Sequence, residues 1–243
     1  MNDKQEINAL IKKEHFDFSD LTAIMRILRS EGGCPWDREQ NHHSIRSSLI
    51  EETYEVVEAI DNDDPTLLRE ELGDLLFQIM FHAQIEHEEN RFTVNEVVDD
   101  ICKKMIHRHP HVFGTVEVEN SSEVLTNWET IKTEEKQRNT LVQKLKAIPP
   151  MMPALMRASK VGKKAGQAAE LDANAILNRL AEDVASVKEA VQAQTLDAEA
   201  ALGALLMRMC DLSRALEVDA EYALTRNTDA LIAQIAEQNG EKC

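Results

Sequence analysis

Leu49-Ile50-Glu51-Glu52-Thr53-Tyr54-Glu55-Val56-Val57-Glu58-Ala59-Ile60, then Asn62-Asp63-Asp64-Pro65, then Glu71-Leu72-Gly73-Asp74-Leu75-Leu76, is the stretch that decides the fold. Leu49, Ile50, Thr53, Val56, Val57 and Ile60 fall on one arc of a 3.6-residue helix, and Glu51, Glu52, Glu55 and Glu58 take the rest. Asn62-Asp63-Asp64-Pro65 ends that helix and caps the next, with Pro65 placed for a first turn. Leu68, Leu72, Leu75, Leu76 and Ile79 form the second stripe, and Glu71 and Asp74 lie off it. So short a turn predicts an antiparallel helix pair. Glu52 and Glu55 are one turn apart, as are Glu71 and Asp74. The two acid pairs can therefore converge.

Four converging carboxylates repel one another unless a cation lies between them. An all-oxygen set suits Mg²⁺ or Mn²⁺, not Zn²⁺. A di-iron bundle wants Glu-x-x-His from two helices. Neither acid pair continues to such a histidine, and Glu39 with His42 makes that spacing only once. The bland alternative is a solvated acidic face, because ten acids and one base, Arg69, lie between Ile50 and Leu76.

The whole chain agrees with a helical reading. Of 243 residues, 43% are hydrophobic, 29% charged and only 4% aromatic, with 8 Gly and 6 Pro. That supply of turn and strand formers is poor for a sandwich or barrel. A net charge of −17 argues against binding a nucleic-acid backbone, though not against a nucleotide held through metal. No apolar run approaches the ~18 residues of a membrane span, and residues 1–13 lack a signal-peptide core. Cys34, Cys102, Cys210 and Cys243 show no CxxC spacing and read as free thiols in a reducing cytoplasm.

The motif Glu51-Glu52-x-x-Glu55 followed by Glu71-x-x-Asp74 resembles the MazG family of nucleoside triphosphate pyrophosphohydrolases. Gly33-Cys34-Pro35-Trp36-Asp37 upstream, His107-Arg108-His109-Pro110-His111-Val112-Phe113 downstream and Trp128-Glu129-x-x-Lys132 carry the same resemblance, closely over residues 18–160. It implies an all-α, Mg²⁺-dependent enzyme, with Mn²⁺ as a substitute, that cleaves an NTP to NMP and pyrophosphate. By resemblance Glu52, Glu55, Glu71 and Asp74 are the metal ligands, and Lys104 and Arg108, one turn apart, meet phosphate. Glu51 and Glu52 are the candidates for catalytic acids, Glu51 being alternatively a solvated residue. His107 is either a phosphate contact or a surface residue. Trp36 either stacks on the nucleobase or anchors its loop. His107, His109 and His111, with Pro110 among them, read as a structured loop over the site rather than a zinc cluster. The family also implies a homodimer that completes the bundle.

Sliding the sequence on itself exposes a repeat. At an offset of 131, Ala23-Ile24-Met25-Arg26 meets Ala154-Leu155-Met156-Arg157, and Glu52 and Glu55 meet Asp183 and Ser186. At 130, Glu71, Gly73 and Asp74 meet Ala201, Gly203 and Ala204. Near 126, Lys104 and Arg108 meet Ala230 and Gln234. Alanine keeps the helix and deletes the ligand. The expected fold is a tandem repeat of two helical bundles: 1–118 catalytic, 119–149 a helical connector, and 150–243 degenerate and non-catalytic. Leu180, Val184, Val187, Val191, Leu202, Leu205, Leu206 and Met209 still give that copy an apolar face. Two other functions stay open: a nucleotide or alarmone sensor with little turnover, and a purely structural helical partner. No nucleic-acid or membrane partner is expected.

Overall fold

The computed structural model describes residues 3–135, 140–166, 172–193 and 197–240; Cys243 lies outside them. Thirteen helices and no strand occur among the described residues. Contacts divide the chain into two compact units, Met1–Trp128 and Glu129–Cys243, and the division falls within the stretch 119–149 that the sequence assigns to a connector.

The first unit holds α1 (Asp3–Ile11), α2 (Phe18–Arg29), α3 (Pro35–Glu39), α4 (Arg46–Asp61), α5 (Pro65–Glu88), α6 (Val94–Arg108) and α7 (Pro110–Phe113). α8 (Ser121–Glu135) begins within it. The decisive stretch folds as its spacing predicts. Asp64 caps α5, accepting from the Thr66 and Leu67 amides at 2.9 and 3.0 Å, with Pro65 in the first turn. Asp63 takes φ 51°, a left-handed conformation that Asp tolerates better than most residues. Thr93 and Glu96 form a reciprocal capping box at the start of α6.

α5 is the axle of this unit, packing against α4, α2 and α6. Its later half supplies Met80, Phe81, Ala83 and Ile85 to a core completed by Met25, Ile45 and Val94. Arg29 ties three elements together. Its guanidinium pairs with Glu88 at 2.8 Å, donates to the Asp37 and Gln40 carbonyls, and stacks 5.2 Å from the Phe81 ring centroid. Gly33 closes the turn before α3, where a Cβ would sit 2.2 Å from the Ile27 and Leu28 carbonyl oxygens.

The α4 stripe departs from the picture of a core face. Of its residues Ile50, Val57 and Ile60 are exposed, as are the neighbouring Tyr54 and, on α5, Leu72 and Ile79. Periodicity identifies an apolar face but not what covers it, and an α4–α5 hairpin is one layer thick.

The second unit holds α9 (Leu141–Lys146), α10 (Ala154–Lys164), α11 (Ala173–Ala193), α12 (Asp197–Ala215) and α13 (Ala220–Asn239). α12 packs on α11, α10 and α13, as α5 packs on α4, α2 and α6. Burial keeps the same register. Ala59 and Ala190, 131 apart, are 1% and 8% exposed; Met80 and Cys210, 130 apart, are 2% and 1% exposed. Of the expected apolar face, Leu180 is buried, while Val184, Val191, Leu202, Leu206 and Met209 are exposed.

Candidate functional site

The α4–α5 hairpin brings carboxylate oxygens of Glu52, Glu55 and Glu71 within 4.8 Å of one another, the one such cluster among the described residues. Glu52 and Glu55 come from successive turns of α4, and Glu71 from the second turn of α5. Asp74, exposed one turn further along α5, raises the pKa of both Glu52 and Glu71 through its charge. The Glu52 carboxyl lies above its ordinary value chiefly through burial, then through its hydrogen bond with Glu55 and the charges of Asp74 and Glu55. Burial, followed by the charges of Glu55, Asp74, Glu70 and Glu58, raises Glu71 as well. Such a cluster is strained by like charge. A divalent cation with hard oxygen preference relieves that strain and finds its ligands already in place, so the donor set fits Mg²⁺ or Mn²⁺.

The other residues that the sequence singles out lie on other elements. Glu51 is exposed on α4 beside Glu52. Lys104 and His107 are exposed on the last turns of α6. Arg108 is 6% exposed, with its guanidinium 5.3 Å from the Trp128 ring centroid. Trp36 is 61% exposed on α3, so it does not anchor its loop by burial; Gly33 and Arg29 do that work. The segment after Arg108, expected as a structured loop, is a single helical turn, α7. His109 packs edge-on to Trp128 at 4.9 Å and lies 5.6 Å from His111, while its Nδ1 is 2.6 Å from the Met105 carbonyl oxygen.

Sequence reasoning missed Gln78. It lies one turn beyond Asp74, is 7% exposed, and donates from Nε2 to Glu52 Oε1 over a long 3.5 Å. The signal was present in the four-residue spacing from Asp74, hidden by reading the helix only for acids. His42 was also undervalued: its ring contacts His82 and Glu86, forty and forty-four residues away.

Comparison with known proteins adds the family. The MazG nucleotide pyrophosphohydrolase domain matches residues 40–113, which include the acidic cluster, Lys104 and Arg108. The nucleoside triphosphate pyrophosphohydrolase/pyrophosphatase MazG of Thermotoga maritima is 39% identical over 213 residues, covering 87% of this chain and 81% of that protein. The nucleoside triphosphate pyrophosphohydrolase of Escherichia coli K12 is 43% identical over 211 residues, covering 85% and 80% respectively. That of Mycobacterium tuberculosis is 36% identical over 154 residues, or 63% of this chain and 46% of its own. With the acidic hairpin in place and relatives of this similarity along most of its length, the chain belongs to the MazG family.

Proposed function

We propose that this nucleoside triphosphate pyrophosphohydrolase works with Mg²⁺, replaceable by Mn²⁺, held by Glu52, Glu55, Glu71 and Asp74. The convergence of three carboxylates within 4.8 Å carries the reading. Held by these carboxylates, the divalent cation would supply charge neutralisation and Lewis-acid activation. The chain's own residues do the rest. The two rigid helices preset the ligand geometry, so little ordering is left to the moment of reaction. Glu51, exposed beside Glu52, takes the proton of the attacking water. Lys104 and His107 meet phosphate oxygens from α6. Arg108 contributes through a guanidinium already fixed on Trp128. Trp36 offers an exposed aromatic face to a base.

The exposed stripe of Ile50, Tyr54, Val57 and Ile60 supports a second copy of the chain as the cover of the hairpin, giving a homodimer. Attack at the α-phosphorus yields NMP and pyrophosphate. In ¹⁸O-water with Mg²⁺ and an NTP, the label should appear in NMP. Label in orthophosphate, with NDP as co-product, would refute the scheme.

A further inference from the structure

Asp74, Gln78, His82 and Glu86 are each four residues apart on α5 and so form one ridge along the helix. The ridge starts in the acidic cluster and runs towards the far end of the unit. Two polar atoms in its middle stand out. Gln78 Oε1 and His82 Nε2 are buried and have no hydrogen-bond partner among the described residues. Buried polar atoms are nearly always paired, so two orphans on successive turns of one ridge ask for an explanation.

The neighbouring bonds say what surrounds each orphan. His42 Nε2 lies 2.5 Å from Glu86 Oε1, and the carboxylate, which also accepts from Arg91 Nε at 2.5 Å and Nη2 at 2.9 Å, can only accept. His42 Nε2 therefore carries a hydrogen. His82 Nδ1 lies 2.7 Å from His42 Nδ1, with the two rings 12° from parallel, so the two nitrogens share one hydrogen. His82 Nε2, the other nitrogen of its ring, is left without a partner among the described residues. Burial, followed by the charge of His42, holds His82 below its ordinary pKa. Gln78 Oε1 is an acceptor, because its amide nitrogen faces Glu52. A single water satisfies both atoms, donating one hydrogen to Gln78 Oε1 and pairing with His82 Nε2 through its other hydrogen or a lone pair.

We propose that Gln78, His82, His42 and Glu86 form one hydrogen-bonded relay, closed by a water between Gln78 and His82, that holds Glu52 in its metal-binding orientation. The relay fixes the Gln78 amide with its nitrogen towards the Glu52 carboxylate; turned over, the amide would present oxygen to oxygen. His42 enters from the segment just before α4, so the relay also ties the start of the helix bearing Glu52 to α5. His82 is a positioning residue acting through Gln78. This inference rests on the reading of Glu52 as a metal ligand.

The test uses the full chain and Mn²⁺ alone, with affinity read by electron paramagnetic resonance and metal-free folding by thermal unfolding. Glu55→Ala is the control for the metal site itself. His82→Phe keeps a ring and removes both nitrogens; Gln78→Leu removes the amide. Each should weaken Mn²⁺ binding about 10-fold, the scale of losing a group that orients a ligand. The double variant should be no weaker than Gln78→Leu, because His82 acts only through Gln78. His82→Gln, which restores a hydrogen-bonding partner for the water, should recover most of the affinity. If His82→Phe does not fold, His42→Phe breaks the same chain at its other histidine and should show the same loss. Wild-type Mn²⁺ affinity in His82→Phe, or losses that multiply in the double variant, would overturn the relay. If Glu55→Ala also binds Mn²⁺ as wild type does, the metal site has failed with it; if Glu55→Ala alone loses binding, the relay fails by itself.

Discussion

Gln78 in α5 and Arg208 in α12 occupy matched places in two similar helix pairs, and each reaches the acid matched on the neighbouring helix. Gln78 donates to Glu52 at 3.5 Å, amid Glu55, Glu71 and Asp74. Arg208 Nε pairs with Asp183 Oδ2 at 3.2 Å and its Nη1 lies 3.6 Å from Asp211, while Ser186, Ala201 and Ala204 stand where the other three acids would be. Asp211 is held in turn by Arg214. One pair concentrates negative charge and leaves an uncharged amide behind it, so under the proposed function its cation comes from outside. The other has shed its acids and carries its cation in its own sequence. The same backbone frame thus supports two opposite electrostatic solutions, decided by about five side chains.

The largest effect is on the frame itself. Phe81→Ala, at a core position 1% exposed, should cost about 3–5 kcal/mol in the unfolding free energy of the first unit, measured by denaturant titration. A loss under 1 kcal/mol would mean that α5 is not the axle of that unit. Next comes the chemistry. Glu55→Ala and Asp74→Ala should each lower kcat/KM for pyrophosphate release by ~10² or more, about 2.7 kcal/mol. Asp183→Ala should leave that rate unchanged, and a comparable loss there would give the second unit a catalytic part.

Arg208→Met leaves Asp183 without its partner and should destabilise the second unit by about 1 kcal/mol, since the pair is partly exposed. Added Mg²⁺ should not restore that loss, because one carboxylate is a weak ligand set. The smallest effect is on pH. Glu52 and Glu71 have pKa values raised above the ordinary 4.5, so their protonated forms favour the folded, metal-free protein. That contribution is complete below 4.5 and is lost as pH rises through the raised values. Thermal unfolding of the metal-free chain should show it as a difference from Glu52→Gln that grows on raising pH across that window. An unchanged difference would mean that the cluster is not repulsive.

Much of this was legible in the sequence, and the rest was hidden for physical reasons. The hairpin at Asn62–Pro65 and the two acid pairs follow from local spacing, which is why Asp64 caps α5 as its position predicts. Spacing is blind to partners from elsewhere in the chain. His42 looked like half of an isolated metal motif until packing set it against His82 and Glu86. Arg108 read as a phosphate contact one turn from Lys104, and its stacking on Trp128, twenty residues on, could not be seen from spacing. Trp36, an aromatic residue after a tight turn, read as either a base-stacking residue or an anchor; the backbone approach at Gly33 holds that turn and leaves the indole exposed.

Under the proposed function only the first helix pair binds a cation from outside. The direct test is Mn²⁺ binding, followed by electron paramagnetic resonance, to the full-length wild type, Glu71→Ala and Asp183→Ala. Binding should be lost in Glu71→Ala and retained at wild-type affinity in Asp183→Ala. Retention of binding in Glu71→Ala, or its loss in Asp183→Ala, would contradict the account.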